Sequence, residues 1–123
     1  MATSLPLWWA MAGTALGAVM RLWLTRLLFP FSRTFPVATL LVNLSGALLA
    51  GMAAGISLGT AAPIWPALAL AVLGGYTTVS SFSLQTLDLW HQQRPLAALA
   101  NVSASLAGTL LACTAGLMLG GAW

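Results

Sequence analysis

Apolar residues fill four long runs of the chain, which are separated by short segments rich in proline, arginine and polar residues. No charged residue occurs from Thr34 to Leu87 or from Pro95 to Trp123. A helix that spans a bilayer needs about 20 mostly apolar residues. The pattern therefore predicts four transmembrane helices, near Leu5–Leu24, Val37–Leu58, Ile64–Trp90 and Leu96–Gly121.

The segments between these helices are short: Phe29–Pro36, Gly59–Pro63 and His91–Pro95. We therefore expect consecutive helices to be antiparallel neighbours within a single domain over residues 1–123. They leave no room for a domain outside the membrane.

The composition excludes most soluble and enzymatic functions. Only 4% of the 123 residues are charged and 60% are hydrophobic, whereas roughly 25% of a typical soluble domain is charged. Asp88 is the one carboxylate and Cys113 the one cysteine, so neither a carboxylate pair, a metal-ligand cluster nor an intrachain disulfide is available. We expect an all-α, multi-pass protein of the inner (plasma) membrane that is not an enzyme and binds no nucleic acid.

Small residues recur at every fourth position in three of the spans. Such ridges let helix backbones approach closely in lipid, and they predict tight helix packing within one subunit or between subunits. They comprise Gly13 and Gly17, leading to Arg21, in the first span; Thr39, Asn43, Ala47, Gly51, Gly55 and Gly59 in the second; and Ala100, Ala104, Gly108, Ala112, Gly116 and Gly120 in the fourth.

Polar residues inside the third and fourth spans indicate an ion pathway or polar contacts between helices. The segment Gly74–Ser83 contains two glycines and five serine or threonine hydroxyls, which predicts a broken helix. Irregular backbone at this depth requires cover from protein or water, and its freed groups suit ion binding. A second polar row, on the fourth span, either lines a path or bonds its own helix carbonyls: Asn101, Ser105, Thr109 and Cys113.

The few charges favour an anion as the transported species. Arg21 lies near a helix end, where arginine serves either as an interfacial anchor or as an electrostatic funnel for anions. Asp88 lies near the end of the third span, three residues from His91, where a local contact at the interface accounts for it. Almost no negative charge is left to attract a cation.

Four segments together resemble the Fluc (CrcB) family of small fluoride channels. The third span carries Gly74-Gly75-Tyr76-Thr77-Thr78, then Ser80 and Phe82-Ser83, which is similar to the family's third-helix signature. Gly17–Arg21 resembles its first-helix motif and Thr39–Asn43 with Gly46 its second. The polar fourth span with Gly108 resembles the last helix, so the likeness covers nearly the whole chain.

The resemblance implies a channel that exports fluoride passively and relieves fluoride toxicity. It also implies an antiparallel, dual-topology homodimer of four-helix subunits, whose partners are fluoride, the lipid bilayer and a second copy of the chain. A structural sodium ion at the dimer interface is implied as a cofactor, held by the backbone carbonyls of Gly74 and Thr77.

The resemblance also assigns an ion pathway. Asn43 matches the asparagine at its aqueous entrance, Ser80 matches a pore hydroxyl, and Phe82 matches the second of two pore phenylalanines. The fourth helix is expected to supply the hydroxyls of Ser105 and Thr109. Arg21 is expected at the vestibule.

Two positions depart from the family pattern. Val79 stands where the first pore phenylalanine is expected, and valine offers no positive ring edge to an anion. Gln85 stands where the family has a glutamate, so a negative charge is replaced by an amide donor. The second change is not expected to impair an anion path.

The arginines leave the dimer composition open. Arg26, Arg33 and Arg94, with Arg21 nearby, all lie toward the first and third connections. The positive-inside rule favours one orientation with these connections in the cytoplasm, whereas an antiparallel homodimer requires both. The sequence is therefore also compatible with a heterodimer between this chain and an oppositely oriented homologue.

Two other classes of membrane protein have a similar size. A proton-coupled small multidrug-type exporter needs a carboxylate within the membrane, and no span has one at its centre. A non-transporting structural subunit accounts for the small-residue ridges but not for a broken third helix.

Overall fold

The computed structural model describes residues 6–59 and 64–121, and these residues form an all-helical bundle. Its elements are α1 (Leu7–Leu27), a 3₁₀ turn (Phe29–Phe31), α2 (Val37–Leu58), α3 (Ile64–Tyr76), α4 (Ser80–His91) and α5 (Pro95–Leu119). Four stretches are long and apolar enough to cross a membrane: α1, α2, Pro66–His91 across α3 and α4, and α5. The predicted all-α fold with four spans is confirmed.

The helix limits follow the predicted ones closely. The second span, α2, has the predicted limits, and α1 continues to Leu27 because no helix-breaking residue precedes Pro30. Helix α5 begins at Pro95, since a proline in the first turn has no N–H to leave unpaired. Leu5 and residues 60–63 lie outside the described residues.

The third span is interrupted where the glycine- and hydroxyl-rich segment predicts a break. Helix α3 ends at Tyr76 and α4 begins at Ser80. The last helical bond before the break joins Thr77 N to Leu73 O at 3.0 Å, and the first after it joins Ser83 N to Val79 O at 2.9 Å. The break therefore comprises Thr77–Val79.

The closest helix packing is between α2 and α5 and between α1 and α3. Consecutive spans contact each other, as expected from the short connections, although α1 and α2 do so less closely. The small-residue ridges account for this arrangement. A Cβ added at Gly51 would overlap the Cys113 carbonyl oxygen, and one added at Gly17 would overlap the Val72 carbonyl oxygen. Backbones this close require glycine.

Toward one end of the subunit, the small-residue ridges of α2 and α5 pack against each other. A Cβ at Gly55 would lie 2.6 Å from the Leu117 carbonyl oxygen, and one at Gly116 would overlap the Leu48 carbonyl oxygen. Toward the other end of α5, Ala100 is exposed. The ridge therefore packs inside the subunit over only part of its length.

The first and third connections lie at the same end of the bundle. The Arg94 guanidinium, just before α5, donates a hydrogen bond to the carbonyl oxygen of Thr34, just before α2. Arg33 is exposed at this end. Arg33 and Arg94 therefore lie at the same end of the bundle, as the sequence predicts.

Most large apolar side chains point away from the bundle. Trp23 is 68% exposed, Leu110 69% and Leu111 71%, an arrangement suited to contact with lipid and not with water. Val42 and Asn101 are the largest fully buried side chains among the described residues. Few large side chains among the described residues are therefore fully buried inside the subunit.

We expect Gly51→Ala to destabilise the subunit by about 2 kcal/mol, the range typical of overpacking. The new methyl group would overlap the Cys113 carbonyl oxygen, which moves aside only if α2 and α5 separate. Thermal melting of the purified protein in detergent measures the effect. Gly59→Ala is the control, because its nearest new neighbour would be the Ile56 carbonyl oxygen at an ordinary 3.8 Å. Equal melting temperatures for the two variants would contradict the packing.

Candidate functional site

A cavity of about 710 Å³ lies beside the break between α3 and α4. Its walls come from α2, α3, α4, α5 and the break itself. It is open at the surface of the subunit, where Gly74 is exposed. Most of the predicted site residues line it: Asn43, Gly74, Thr77, Val79, Phe82, Ser105 and Thr109.

The break is held by a pair of hydrogen bonds from α2. The Thr78 N–H donates to Asn43 Oδ1 at 2.8 Å, and Asn43 Nδ2 donates to the Thr78 carbonyl oxygen at 2.8 Å. Thr78 is only 8% exposed, so both backbone groups would otherwise lack water as a partner. One amide side chain thus satisfies both backbone groups of one residue.

The hydroxyl of Thr78 bonds the first turn of α4. Thr78 Oγ1 accepts the Ser81 N–H at 3.2 Å, as in the capping of a helix N-terminus. It also lies 3.2 Å from Ser80 Oγ. Ser80 is exposed and lies outside the lining of the cavity, so its role as a pore hydroxyl stays a prediction.

The carbonyl oxygens of Gly74 and Thr77 accept no helical N–H within the described part of the chain. The N–H four residues after Gly74 belongs to Thr78 and is bonded to Asn43. The space over Gly74 is open, because an added Cβ would meet no atom within 4 Å. Hard cations prefer oxygen ligands, so the donor chemistry of these two carbonyls is compatible with a structural sodium ion, which stays a prediction.

Arg21 approaches the break from α1. Its Nη1 donates to the Thr77 carbonyl oxygen at 3.4 Å, and it does not line the cavity. A carbonyl oxygen has a second lone pair, so this long bond leaves Thr77 able to take another partner. The expected place of Arg21 at a vestibule stays a prediction, and its contact with the backbone of the break was not anticipated.

Phe82 is anchored from α5 through its backbone. Asn101, 2% exposed, donates from Nδ2 to Thr86 Oγ1 at 2.9 Å. Thr86 Oγ1 in turn donates to the Phe82 carbonyl oxygen at 2.8 Å. Asn101, the first member of the polar row, therefore joins two helices and fixes the segment that carries Phe82.

The rest of the polar row on α5 is divided between the cavity and helix packing. Ser105 is 8% exposed and lines the cavity beside Thr109. Thr109 donates its hydroxyl hydrogen to the Ser105 carbonyl oxygen at 2.6 Å, so in this rotamer it presents only lone pairs to the cavity. Cys113 contributes its backbone to the contact with Gly51.

The two departures from the family pattern lie in different places. Val79 is 76% exposed at the mouth of the cavity. Gln85 faces a separate, smaller cavity of about 160 Å³ next to the connection between α1 and α2. Its Oε1 is buried and has no hydrogen-bond partner among the described residues.

The sequence pattern does not indicate that Thr78 is the residue of the break that α2 holds. It is one of five serine and threonine residues in the segment Gly74–Ser83, and no local spacing indicates which of them meets α2. A second missed contact joins the Ser45 hydroxyl to the Tyr76 hydroxyl at 2.9 Å. Both depend on how close α2 comes to the break.

Comparison with known proteins identifies relatives along nearly the whole chain. The family described as CrcB-like protein, Camphor Resistance (CrcB), matches residues 8–117. A protein of Methylobacterium radiotolerans named fluoride-specific ion channel FluC is 37% identical over 118 residues, which cover 92% of this chain and 82% of the relative.

Two further relatives carry the same name, fluoride-specific ion channel FluC. The one from Saccharophagus degradans is 40% identical over 119 residues, covering 90% of this chain and 90% of the relative. The one from Neisseria meningitidis is 40% identical over 111 residues, covering 89% and 90%. With its motifs, its four spans and these relatives in agreement, the chain belongs to the CrcB family.

Proposed function

We propose that the protein is a fluoride-selective channel through which fluoride leaves the cell passively across the inner (plasma) membrane, which relieves fluoride toxicity. The observation that carries the proposal is the cavity at the helix break, lined by Asn43, Phe82 and Ser105. The relatives' name, fluoride-specific ion channel, supports the choice of ion.

The groups along the cavity suit a small anion. Fluoride is strongly hydrated, so a selective path must replace its water with hydrogen-bond donors and positive partial charges. Asn43 Nδ2 gives one hydrogen to Thr78 and retains a second one. Ser105 has a hydroxyl beside the cavity, and the edge of the Phe82 ring carries partial positive charge.

No carboxylate is among the residues that line the cavity, where a proton-coupled exporter would need one. Asp88 is exposed near the end of α4 and is not among the residues that line the cavity. A proton-coupled mechanism requires a titratable group within the transport path. The lining described above supports passive conduction instead.

An antiparallel homodimer completes the proposal. The cavity is open on the side where Gly74 and Val79 are exposed, so one subunit does not enclose it. A second copy, related by a two-fold axis, would cover this side and double the pair of carbonyls from Gly74 and Thr77. Those oxygens would hold a structural sodium ion, which when bound supplies positive charge that links the two subunits.

We expect purified protein in liposomes to release fluoride much faster than chloride. The larger chloride ion fits a narrow track of donors poorly. An ion-selective electrode measures each efflux, with and without an imposed proton gradient. Equal fluoride and chloride rates would overturn the proposal, and dependence of fluoride flux on the proton gradient would favour an exporter.

Phe82→Ile should slow fluoride efflux, whereas Val79→Phe should preserve or raise it. A ring edge near an anion contributes about 1 kcal/mol, judged from aromatic-pair energies, which corresponds to about fivefold in rate. Val79 lines the cavity, so a phenylalanine there would add a second ring edge to the path. Phe31→Ile, at an exposed phenylalanine of the 3₁₀ turn, is the control. Unchanged flux in Phe82→Ile together with lost flux in Val79→Phe would refute both assignments.

Cysteine labelling tests the orientation of the subunits. In a Cys113→Ala background, Gly59→Cys places a thiol at the exposed end of α2, where a Cβ has space. We expect an impermeant maleimide to label this thiol from both sides of the membrane in cells, as a dual-topology homodimer requires. Labelling from the periplasm alone would indicate an oppositely oriented partner chain. Labelling from the cytoplasm alone would contradict the arginine distribution.

A further inference from the structure

We propose that Asn43 is the positioning residue of the helix break: its side-chain amide takes the hydrogen bond that the Thr78 N–H would otherwise give to Gly74, and so keeps the Gly74 carbonyl free. This role is separate from the entrance position that the family resemblance assigns to Asn43. Its importance for conduction rests on the proposed function.

The first support is the register of the hydrogen bonds. In a continuous α-helix, each N–H bonds the carbonyl oxygen four residues earlier. Thr77 N still bonds Leu73 O at 3.0 Å, but the Thr78 N–H bonds Asn43 Oδ1 at 2.8 Å. The helical ladder of α3 therefore ends at Thr78, and the N–H of Thr78 leaves the Gly74 carbonyl oxygen without its helical donor.

The second support is the chemistry of the amide. A side-chain amide has one carbonyl acceptor and an NH₂ donor, the same two functions that a backbone peptide offers. Asn43 uses both on Thr78, with the second bond, from Nδ2 to the Thr78 carbonyl oxygen, also 2.8 Å long. An aspartate at this position has no hydrogen for the carbonyl, and a serine has one oxygen for two partners.

The third support is the approach of α2 to the break. A Cβ added at Gly46 would overlap Thr77 Cγ2 and lie 3.2 Å from Tyr76 Cδ1. This glycine lies one helical turn after Asn43 and leaves room against α2 for the side chains of Thr77 and Tyr76. The short amide of asparagine then reaches both backbone groups of Thr78.

The experiment compares Asn43→Ala and Asn43→Asp with Ser45→Ala. Ser45 is on the same helix and also contacts the third span, through the Tyr76 hydroxyl at 2.9 Å, but among the described residues it makes no hydrogen bond to the break Thr77–Val79. Each protein is purified in detergent, checked for monodisperse elution, and melted in sodium chloride and in N-methylglucamine chloride. The second salt provides a cation that is too large for a site made of carbonyl oxygens.

We expect sodium to raise the melting temperature of the unmodified protein and of Ser45→Ala. Asn43→Ala should lose this increment, because the Thr78 N–H is then able to return to the Gly74 carbonyl oxygen. In a structure of Asn43→Ala, the distance from Thr78 N to Gly74 O should be about 3 Å, as in a helix. Asn43→Asp should also lose the sodium increment, because repulsion between the carboxylate and the Thr78 carbonyl displaces the break.

A spectroscopic measurement on the unmodified chain tests the proposal even where a variant fails to fold. Infrared spectra of protein labelled with [1-¹³C]glycine are compared with spectra of labelled Gly74→Ala, and the difference isolates the Gly74 carbonyl band. Gly74→Ala has space within the subunit, since no atom lies within 4 Å of the added Cβ. In N-methylglucamine chloride, we expect a band at a frequency different from that of helical glycine, because the Gly74 carbonyl then has no helical N–H as its partner.

The outcomes separate this proposal from the proposed function. A Gly74 band at the helical frequency, or a full sodium increment in Asn43→Ala, would overturn the role of Asn43. Absence of fluoride efflux from the unmodified protein would overturn the proposed function and leave the infrared result to decide on Asn43. Absence of a sodium increment in the unmodified protein, with a free Gly74 band, would support the role of Asn43 and contradict the sodium site.

Discussion

The structure depends on the requirement that backbone polar groups inside a membrane find partners within the protein. Lipid offers no hydrogen bonds, so an interrupted helix is tolerated only where other groups replace the helical ones. At the break between α3 and α4, the amide of Asn43 replaces them for Thr78. Arg21 bonds the Thr77 carbonyl from another direction. The freed oxygen atoms of the break are therefore held in place by α1 and α2.

Such contacts are possible only because the backbones come close. Glycines at the helix crossings remove the side chains that would keep the helices apart, as at Gly46 beside the break and at Gly51 between α2 and α5. Without a strong hydrophobic drive in lipid, close van der Waals packing and polar contacts provide the association energy. Tight packing along the small-residue ridges thus supports the irregular backbone of the broken helix.

Polar groups on α5 divide between helix contacts and the lining of the cavity. Asn101 is buried and anchors the segment that carries Phe82 through Thr86. Ser105 lines the cavity, whereas the hydroxyl hydrogen of Thr109 is occupied by its own helix. A polar row that looks uniform in sequence therefore serves more than one purpose, because each side chain meets a different neighbour as the helix crosses the bundle.

The fold class and much of the candidate site follow from the order of residues alone. Long uncharged runs leave only membrane-spanning helices as a stable solution, and paired glycines with dense hydroxyls predict the break near Gly74. These features are local, so spacing along the chain reveals them. The closest partner of each helix is not a local property: short connections predict that consecutive spans are neighbours, but they do not reveal that α2 packs most closely on α5.

The same limit applies within the site. The sequence places Asn43 and Thr78 on different spans, 35 residues apart, and no local pattern pairs them. Their hydrogen bonds exist because glycine contacts bring α2 against the break, which is a property of the packed bundle. Chain order therefore determined which residues are polar within the membrane, and tertiary structure decided which of them hold the backbone and which face the cavity.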